Sequence, residues 1–251
     1  MTDSGVHRNW LGRGTLIVLP AFNESESLPG VIDEIRRVVP DADILVVDDG
    51  STDGTSDIAQ ALGVQSIKMP FNVGVGGATR AGLLYGRRYG YAAVVQCDAD
   101  GQHPPESVGV LVKGLDDADM IIGARFAGVG EYEAHGPRLW AMRILAWTIS
   151  RIHDTELTDV TSGFRSFGPR SIEVLSNQMP PEYLGDTVEV LVIAKENGLV
   201  VRQIPVAMRP RSGGAASHGT LKATAFLFRA ILMLALSLVS LVKRPRPQAT
   251  R

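Results

Sequence analysis

Hydrophobic residues in the first half of the chain fall into two alternating patterns. The stretches TLIVLP (15–20), DILVV (43–47), VQSIKM (64–69), AAVVQC (92–97) and MIIGA (120–124) are short, apolar and rich in β-branched residues. Such runs read as strands covered on both faces. Between them, Leu28, Val31, Ile32, Ile35, Val38 and Val39 recur at i, i+3, i+4 and i+7, and Ile58, Ala59 and Leu62 repeat the pattern in a shorter stretch closed by Gly63. These are amphipathic helices. Strand–helix alternation predicts right-handed βαβ units and a mostly parallel α/β sheet, with ligands at the carboxyl ends of its strands.

After Ala124 the alternation breaks. A turn-rich loop, FAGVGEYEAHGP, leads to a predicted helix over about 138–153, the polar run TELTDVTSGFRSF, a helix over about 187–197, the strand VVRQIPV and the loop RPRSGGAASHG. No stretch rich in Pro, Gly or Ser divides the chain, so it reads as one domain over 15–220 after a flexible 1–14. Its halves meet near 124/125.

From Ala225 to Val242 only Arg229 and two serines interrupt an apolar run. The uninterrupted part is about 13 residues, or roughly 20 Å of helix, against a hydrocarbon core of roughly 30 Å. At 100° per residue Lys222, Arg229 and Ser240 share one stripe, and Phe226, Leu227, Ile231, Leu234, Leu238 and Leu241 form a wide apolar face. An amphipathic helix over 221–243 with a basic tail, 244–251, fits a membrane surface. The same face suits the domain itself or a second subunit in a homodimer.

Composition narrows the function class. The 251 residues carry a net charge of -2 and one cysteine, Cys97. That balance argues against nucleic acid as a partner. The lone thiol offers no disulfide framework, and the N-terminal stretch has no apolar core of a secretory signal, which points to the cytoplasm. The nine Lys and Arg residues from Arg202 onward stand without any Asp or Glu, so the acidic balance belongs to the first two thirds.

Chemistry gathers where the strands end. Strand one runs into Pro20-Ala21-Phe22-Asn23-Glu24, strand two into Asp48-Asp49-Gly50-Ser51, strand four into Asp98-Ala99-Asp100-Gly101-Gln102-His103, and strand five into Gly123-Ala124-Arg125. Five carboxylates converging on one sheet edge repel one another unless cations or donors are present. In an extended segment Asp98 and Asp100 face one way, with Gln102 next in phase. Such oxygen donors suit Mg²⁺ or Mn²⁺ bridging a diphosphate. The alternative is that the two aspartates solvate a turn and cap the helix after Pro104 and Pro105. A calcium loop is excluded because its twelfth position is Gly109 rather than Glu. A dinucleotide fingerprint in NVGVGGATR fails too: it follows the third strand, and Thr79 stands where the third glycine belongs.

Taken together, PAFNE (20–24), VVDDGSTDGT (46–55), NVGVGGATRAG (72–82), DADGQHPPE (98–106), GAR (123–125) and TSGFR (161–165) resemble the inverting family 2 glycosyltransferases. The likeness is greatest to the branch that includes dolichyl-phosphate mannose synthases and polyprenyl-phosphate sugar transferases, and it covers about 15–217. It implies a GT-A fold, a Rossmann-like, mostly parallel sheet flanked by helices, with a nucleotide half over about 15–124 and an acceptor half over about 125–220. It also implies a nucleotide sugar, GDP-mannose or UDP-glucose, and a divalent metal. In that pattern Pro20, Ala21 and Glu24 line the nucleoside pocket, Asp48 or Asp49 meets the base or ribose, and Asp98, Asp100 and Gln102 hold the metal.

Arg125, Arg138 and Arg165 fall where the lipid-phosphate branch keeps acceptor-binding arginines, and bidentate guanidinium groups suit phosphate oxygens. Asp98, Asp100, Arg125 and Arg165 are thus the expected catalytic set. A hydroxyl acceptor on a carbohydrate or glycolipid would instead need a base, with Asp159, Asp186 and Glu189 the candidates. A third reading is a nucleotide-sugar-binding protein without turnover. The loop RPRSGGAASHG resembles the family's closing loop, so that Arg211 and Ser217 close over the diphosphate, although His218 stands where lysine is common. The expected setting is the cytoplasmic face of a membrane, reached through the C-terminal helix and a polyprenyl phosphate acceptor.

Overall fold

The structure, a computed structural model, describes residues 14–125, 137–179 and 185–211. The five predicted strands appear as β1 (Thr15–Ala21), β2 (Asp43–Asp48), β3 (Gln65–Lys68), β4 (Ala93–Gln96) and β5 (Met120–Ala124). Two more follow, β6 (Arg165–Phe167) and β7 (Val201–Pro205). Together they form one sheet in the order β3-β2-β1-β4-β6-β5-β7. Only β6 runs against its neighbours, pairing antiparallel with both β4 and β5. The reversal occurs twice, so β5 points the same way as β1, β2 and β4. All four therefore open on one edge, as the alternation predicted.

Seven α-helices cover the faces of the sheet: α1 (Leu28–Val38), α2 (Thr55–Ala61), α3 (Val75–Tyr89), α4 (Val108–Lys113), α5 (Pro137–His153), α6 (Pro169–Gln178) and α7 (Val190–Glu196) among the described residues. Alternate strand residues choose the face. Leu16, Val18, Leu45 and Val47 pack with residues of α3, α5, α6 and α7. Ile17, Leu19, Ile44 and Val46 pack with α1, α2 and α4. Helix α3 lies so close to β1 that a Cβ at Gly82 would sit 2.4 Å from Val18 Cγ1. That contact explains a glycine in mid-helix, where it otherwise costs about 1 kcal/mol against alanine.

Strand β6 and helix α6 are among the elements without a clear sequence signal. Strand β6 is only three residues long and begins with Arg165, so it has neither apolar continuity nor alternation. Helix α6 buries Ser171 and Ser176 beside Ile172 and Leu175, which dilutes its apolar period. Helix α7 is preceded by a turn of π-helix over Gly185–Glu189. The expected C-terminal helix over 221–243, the basic tail and the first 13 residues lie outside the described residues. Among the described residues, no helix is long and apolar enough to cross a membrane.

Candidate active site

A cavity of about 250 Å³ opens at the shared carboxyl edge. The end of β1 contributes Pro20, Ala21, Phe22 and Glu24; the end of β2 contributes Asp49; the entry to α3 contributes Asn72, Gly74 and Val75. Asp98, Ala99 and Asp100 form the wall beyond β4, and Arg211 closes it from the segment after β7.

The β1–β2 side of the cavity is built by loops that clip one another. Asn23 adopts a left-handed backbone, φ 57. Its amide donates to Ser51 Oγ at 2.9 Å, and its side-chain oxygen accepts from the Thr52 amide at 2.9 Å. Asp53 accepts from the Ser25 amide at 3.0 Å and from the Thr55 hydroxyl at 2.5 Å. Burial opposes its charge, yet these donors hold its carboxyl down at about 2. The segments PAFNE and DDGSTDGT are thus two halves of one rim.

The adjacent aspartates of β2 part company. Asp48 is fully buried, accepting from the Ser51 amide at 2.8 Å and from the Ser56 hydroxyl, and it does not line the cavity. Asp49 faces the cavity and accepts from the amides of Val73 and Gly74, each at 2.8 Å. Burial raises its pKa above the ordinary carboxylate value, the two amides partly offset that, and Asp48 adds to the rise.

On the far wall the chain turns at Ala99–Asp100, so the extended phasing expected for Asp98, Asp100 and Gln102 ends at Asp98. Both carboxylates still line the cavity. Gln102 does not: its amide nitrogen donates to the Arg209 carbonyl at 3.4 Å. Burial, followed by the charge of Asp98, raises the pKa of Asp100, against the Gln102 amide, His103 and Arg211. Two hard oxygen donors on an open wall fit an ion held by one or two carboxylates and completed by water and substrate phosphates. Among the described residues no group of three or more His, Cys, Asp or Glu is arranged to hold a metal, so a closed protein cage is not what this wall offers.

Arg211 spans the cavity, with one nitrogen on Glu24 Oε1 and the other 3.3 Å from Asp100 Oδ2. Glu24 also accepts from Ser27 Oγ at 2.6 Å. The sequence reading missed what delivers Arg211 there. Arg209 bonds Glu34 of α1 at 2.7 Å and Glu106 at 2.8 Å, and its amide donates to the Gln102 carbonyl at 3.0 Å. Phe22, Asn72 and Val75 were not singled out as lining residues either, although they stand inside the motifs PAFNE and NVGVGGATRAG.

The residues expected to serve an acceptor have other partners in the structure. Arg125 grips Asp159 through Nε at 2.7 Å and Nη2 at 2.9 Å, and its amide donates to the same carboxylate at 2.9 Å. Asp159 is buried; burial alone would raise its pKa, but the Arg125 fork holds it below the ordinary value. Arg165 is fully buried, and its guanidinium donates to the carbonyls of Ser162, Val160 and Thr187. It ties the TSGFR loop to the segment before α7 and does not line the cavity. The side chains of Arg138 and Asp186 and all of Ser217 and His218 lie outside the described residues. Glu189 ends the π-turn, partly buried.

A mixed sheet of this order, with a cleft and a carboxylate pair at its carboxyl edge, is a GT-A fold. The chain belongs to Glycosyl transferase family 2, which it matches over residues 16–174. It is 31% identical over 211 residues to a polyprenol monophosphomannose synthase of Mycolicibacterium smegmatis, covering 80% of each chain. It is also 31% identical to an undecaprenyl-phosphate mannosyltransferase of Micrococcus luteus, over 79% of this chain and 85% of that one. A UDP-N-acetylglucosamine–dolichyl-phosphate N-acetylglucosaminyltransferase of Methanococcus voltae is 29% identical over 76% of this chain and 83% of its own. The fold is similar to that of glucosyl-3-phosphoglycerate synthase of Mycobacterium tuberculosis, solved with Mn²⁺, uridine diphosphate and glucosyl-3-phosphoglycerate. The TM-score is 0.68 at 24% identity, covering 90% of this chain and 80% of that one.

Proposed function

We propose that this chain transfers a hexose, with inversion, from a nucleotide-diphosphate sugar to polyprenyl phosphate at a membrane surface, assisted by Mg²⁺ or Mn²⁺. The observation that carries the donor half is the single cavity that joins Pro20–Glu24 and Asp49 to Asp98, Asp100 and Arg211. In this reading the nucleoside lies against Pro20, Ala21 and Asp49, and the diphosphate lies toward the Asp98–Asp100 wall. A divalent ion bound there supplies Lewis-acid stabilisation of the departing diphosphate. Arg211, bridging Glu24 and Asp100, brings donor groups to the same point, where charge-assisted bonds to phosphate oxygens are strong. The acceptor phosphate oxygen forms a bond to the anomeric carbon as the bond from that carbon to the diphosphate oxygen breaks, its electron pair leaving with the diphosphate.

The acceptor half rests on chemistry and on likeness. The three relatives differ in the sugar they are named for but share a lipid phosphate. A phosphate monoester, with a second pKa near 6, already carries its nucleophilic charge at neutral pH and needs no base. Asp159, one of the three candidate bases, is engaged by Arg125 and has its basicity lowered, which weakens the hydroxyl reading.

The test is a panel of nucleotide sugars with Mn²⁺, assayed for release of nucleoside diphosphate with a short polyprenyl phosphate and, separately, with sugar and glycolipid hydroxyl acceptors. Release that depends on the polyprenyl phosphate is expected with one donor. Release driven only by a hydroxyl acceptor, or no acceptor-dependent release with any donor, overturns the proposal.

A further inference from the structure

We infer that His103 is a positioning residue that fixes Asp98 for metal binding, and that Phe164 from the other half of the chain holds His103 in place. The inference rests on the proposed role of Asp98 as a metal ligand.

The ladder between β4 and β6, the edge that the Asp98 amide faces, ends at the Gln96–Arg165 pair. The Cys97 amide still donates to the Val18 carbonyl at 3.0 Å, but the next amide, that of Asp98, has passed the end of β4 and donates to His103 Nδ1 at 2.9 Å. The imidazole thus takes over where the neighbouring strand stops. Because Nδ1 accepts, the neutral ring carries its proton on Nε2. Nε2 lies 3.5 Å from Asp98 Oδ2, so one ring addresses both the backbone and the carboxylate of the same residue.

The ring is held rather than free. It is 7% exposed and stacks on Phe164 with centroids 4.7 Å apart and planes 11° from parallel. Phe164 is fully buried, and its carbonyl accepts from the Gly123 amide at 2.8 Å. The residue before it completes the enclosure: a Cβ at Gly163 would lie 3.3 Å from Asp98 Oδ1. Asp98, 37% exposed in its side chain, is therefore bounded on one oxygen by His103 and on the other by the backbone of the TSGFR loop. Partners behind a ligating carboxylate set its orientation, and losing one typically weakens metal affinity by roughly 10- to 100-fold.

Two substitutions separate the nitrogen contacts from the stack. His103→Phe keeps an aromatic ring on Phe164 and removes both nitrogens. His103→Asn has a side-chain oxygen where Nδ1 stands and removes the stack. Mn²⁺ binding to the full chain is measured by electron paramagnetic resonance, with and without a nucleoside diphosphate, alongside thermal melting. His103→Phe is expected to bind Mn²⁺ roughly 10- to 100-fold more weakly and His103→Asn, which keeps only an acceptor for the Asp98 amide, more weakly by a smaller factor; both melt lower, the first because the Asp98 amide loses its acceptor and the second because the stack is lost. Parent-like Mn²⁺ affinity in His103→Phe overturns the inference. So does parent-like Mn²⁺ affinity in His103→Asn, which would make the ring and its stack on Phe164 dispensable, an arm that stands even where the phenylalanine variant does not fold. Asp98→Asn is the control: if it binds Mn²⁺ like the parent, the metal reading of Asp98 fails, independently of His103.

Discussion

Replacing Arg125 with methionine separates two roles for that side chain. Methionine retains much of the apolar stem and removes the guanidinium fork. Asp159 then keeps only the Arg125 amide and the Thr161 hydroxyl, 3.2 Å away, of the contacts described for it. The pair is buried, with side chains 16% exposed for Arg125 and fully covered for Asp159. Breaking such a pair from one side leaves an uncompensated charge and costs about 3–5 kcal/mol. With a denaturant slope of about 3 kcal/mol per molar urea, that is a fall of roughly 1–2 M in the unfolding midpoint.

The pH dependence has a definite sign. In the parent the carboxyl is held below its usual 3.8, so its contribution is complete above that pH and is lost as pH falls through the lowered value. In the variant, burial without the fork lifts the carboxyl, and protonation relieves the buried charge. The deficit should therefore be largest near neutrality and shrink on acidification. Urea melts at several pH values measure both quantities. A midpoint within a few tenths of a molar of the parent, together with a raised KM for the acceptor, would refute the reasoning and return Arg125 to phosphate binding.

Two further outcomes are expected. Arg211→Ala removes the bridge between Glu24 and Asp100 and should weaken binding of a nucleoside diphosphate by about 1.5–3 kcal/mol, tenfold or more, in isothermal titration calorimetry; unchanged affinity would make Arg211 a counter-ion to the carboxylates alone. Asp53, held at about 2, stabilises the rim fully above its ordinary 3.8, and that support is lost as pH falls through about 2. Thermal melts between pH 5 and 2 should accordingly be steeper for the parent than for Asp53→Asn, and equal slopes would contradict the assignment.

The sheet edge was legible because strand ends are a local property: apolar runs stop, and the polar residues that follow must lie at the carboxyl end. Glu24, Asp49, Asp98 and Asp100 were found that way. What stayed hidden depends on partners far along the chain. Asp48 and Asp49 are indistinguishable in sequence, and Ser51 and Ser56 on one side and the 73–74 amides on the other divide them into an interior and a cavity-lining residue. Arginines near a site read as phosphate ligands, but Asp159 lies 34 positions from Arg125, and the Thr187 carbonyl 22 from Arg165. Gln102 turns away because Arg209, 107 positions later, offers it a carbonyl.

The reversed strand β6 has a consequence for synthesis of the chain. A nascent chain that has emerged only through Ala124 has β1 to β5 in sequence but lacks the strand that separates β4 from β5, so the edge of β4 that leads to Asp98 has no neighbour on one side. The gap closes when Arg165–Phe167 inserts, and Arg211 reaches Glu24 and Asp100 later still. Long-range pairing of this kind is slow and leaves strand edges exposed to other chains meanwhile. A chain cut after Ala124 would therefore lack both the strand that pairs with β4 and the Arg211 contacts to Glu24 and Asp100.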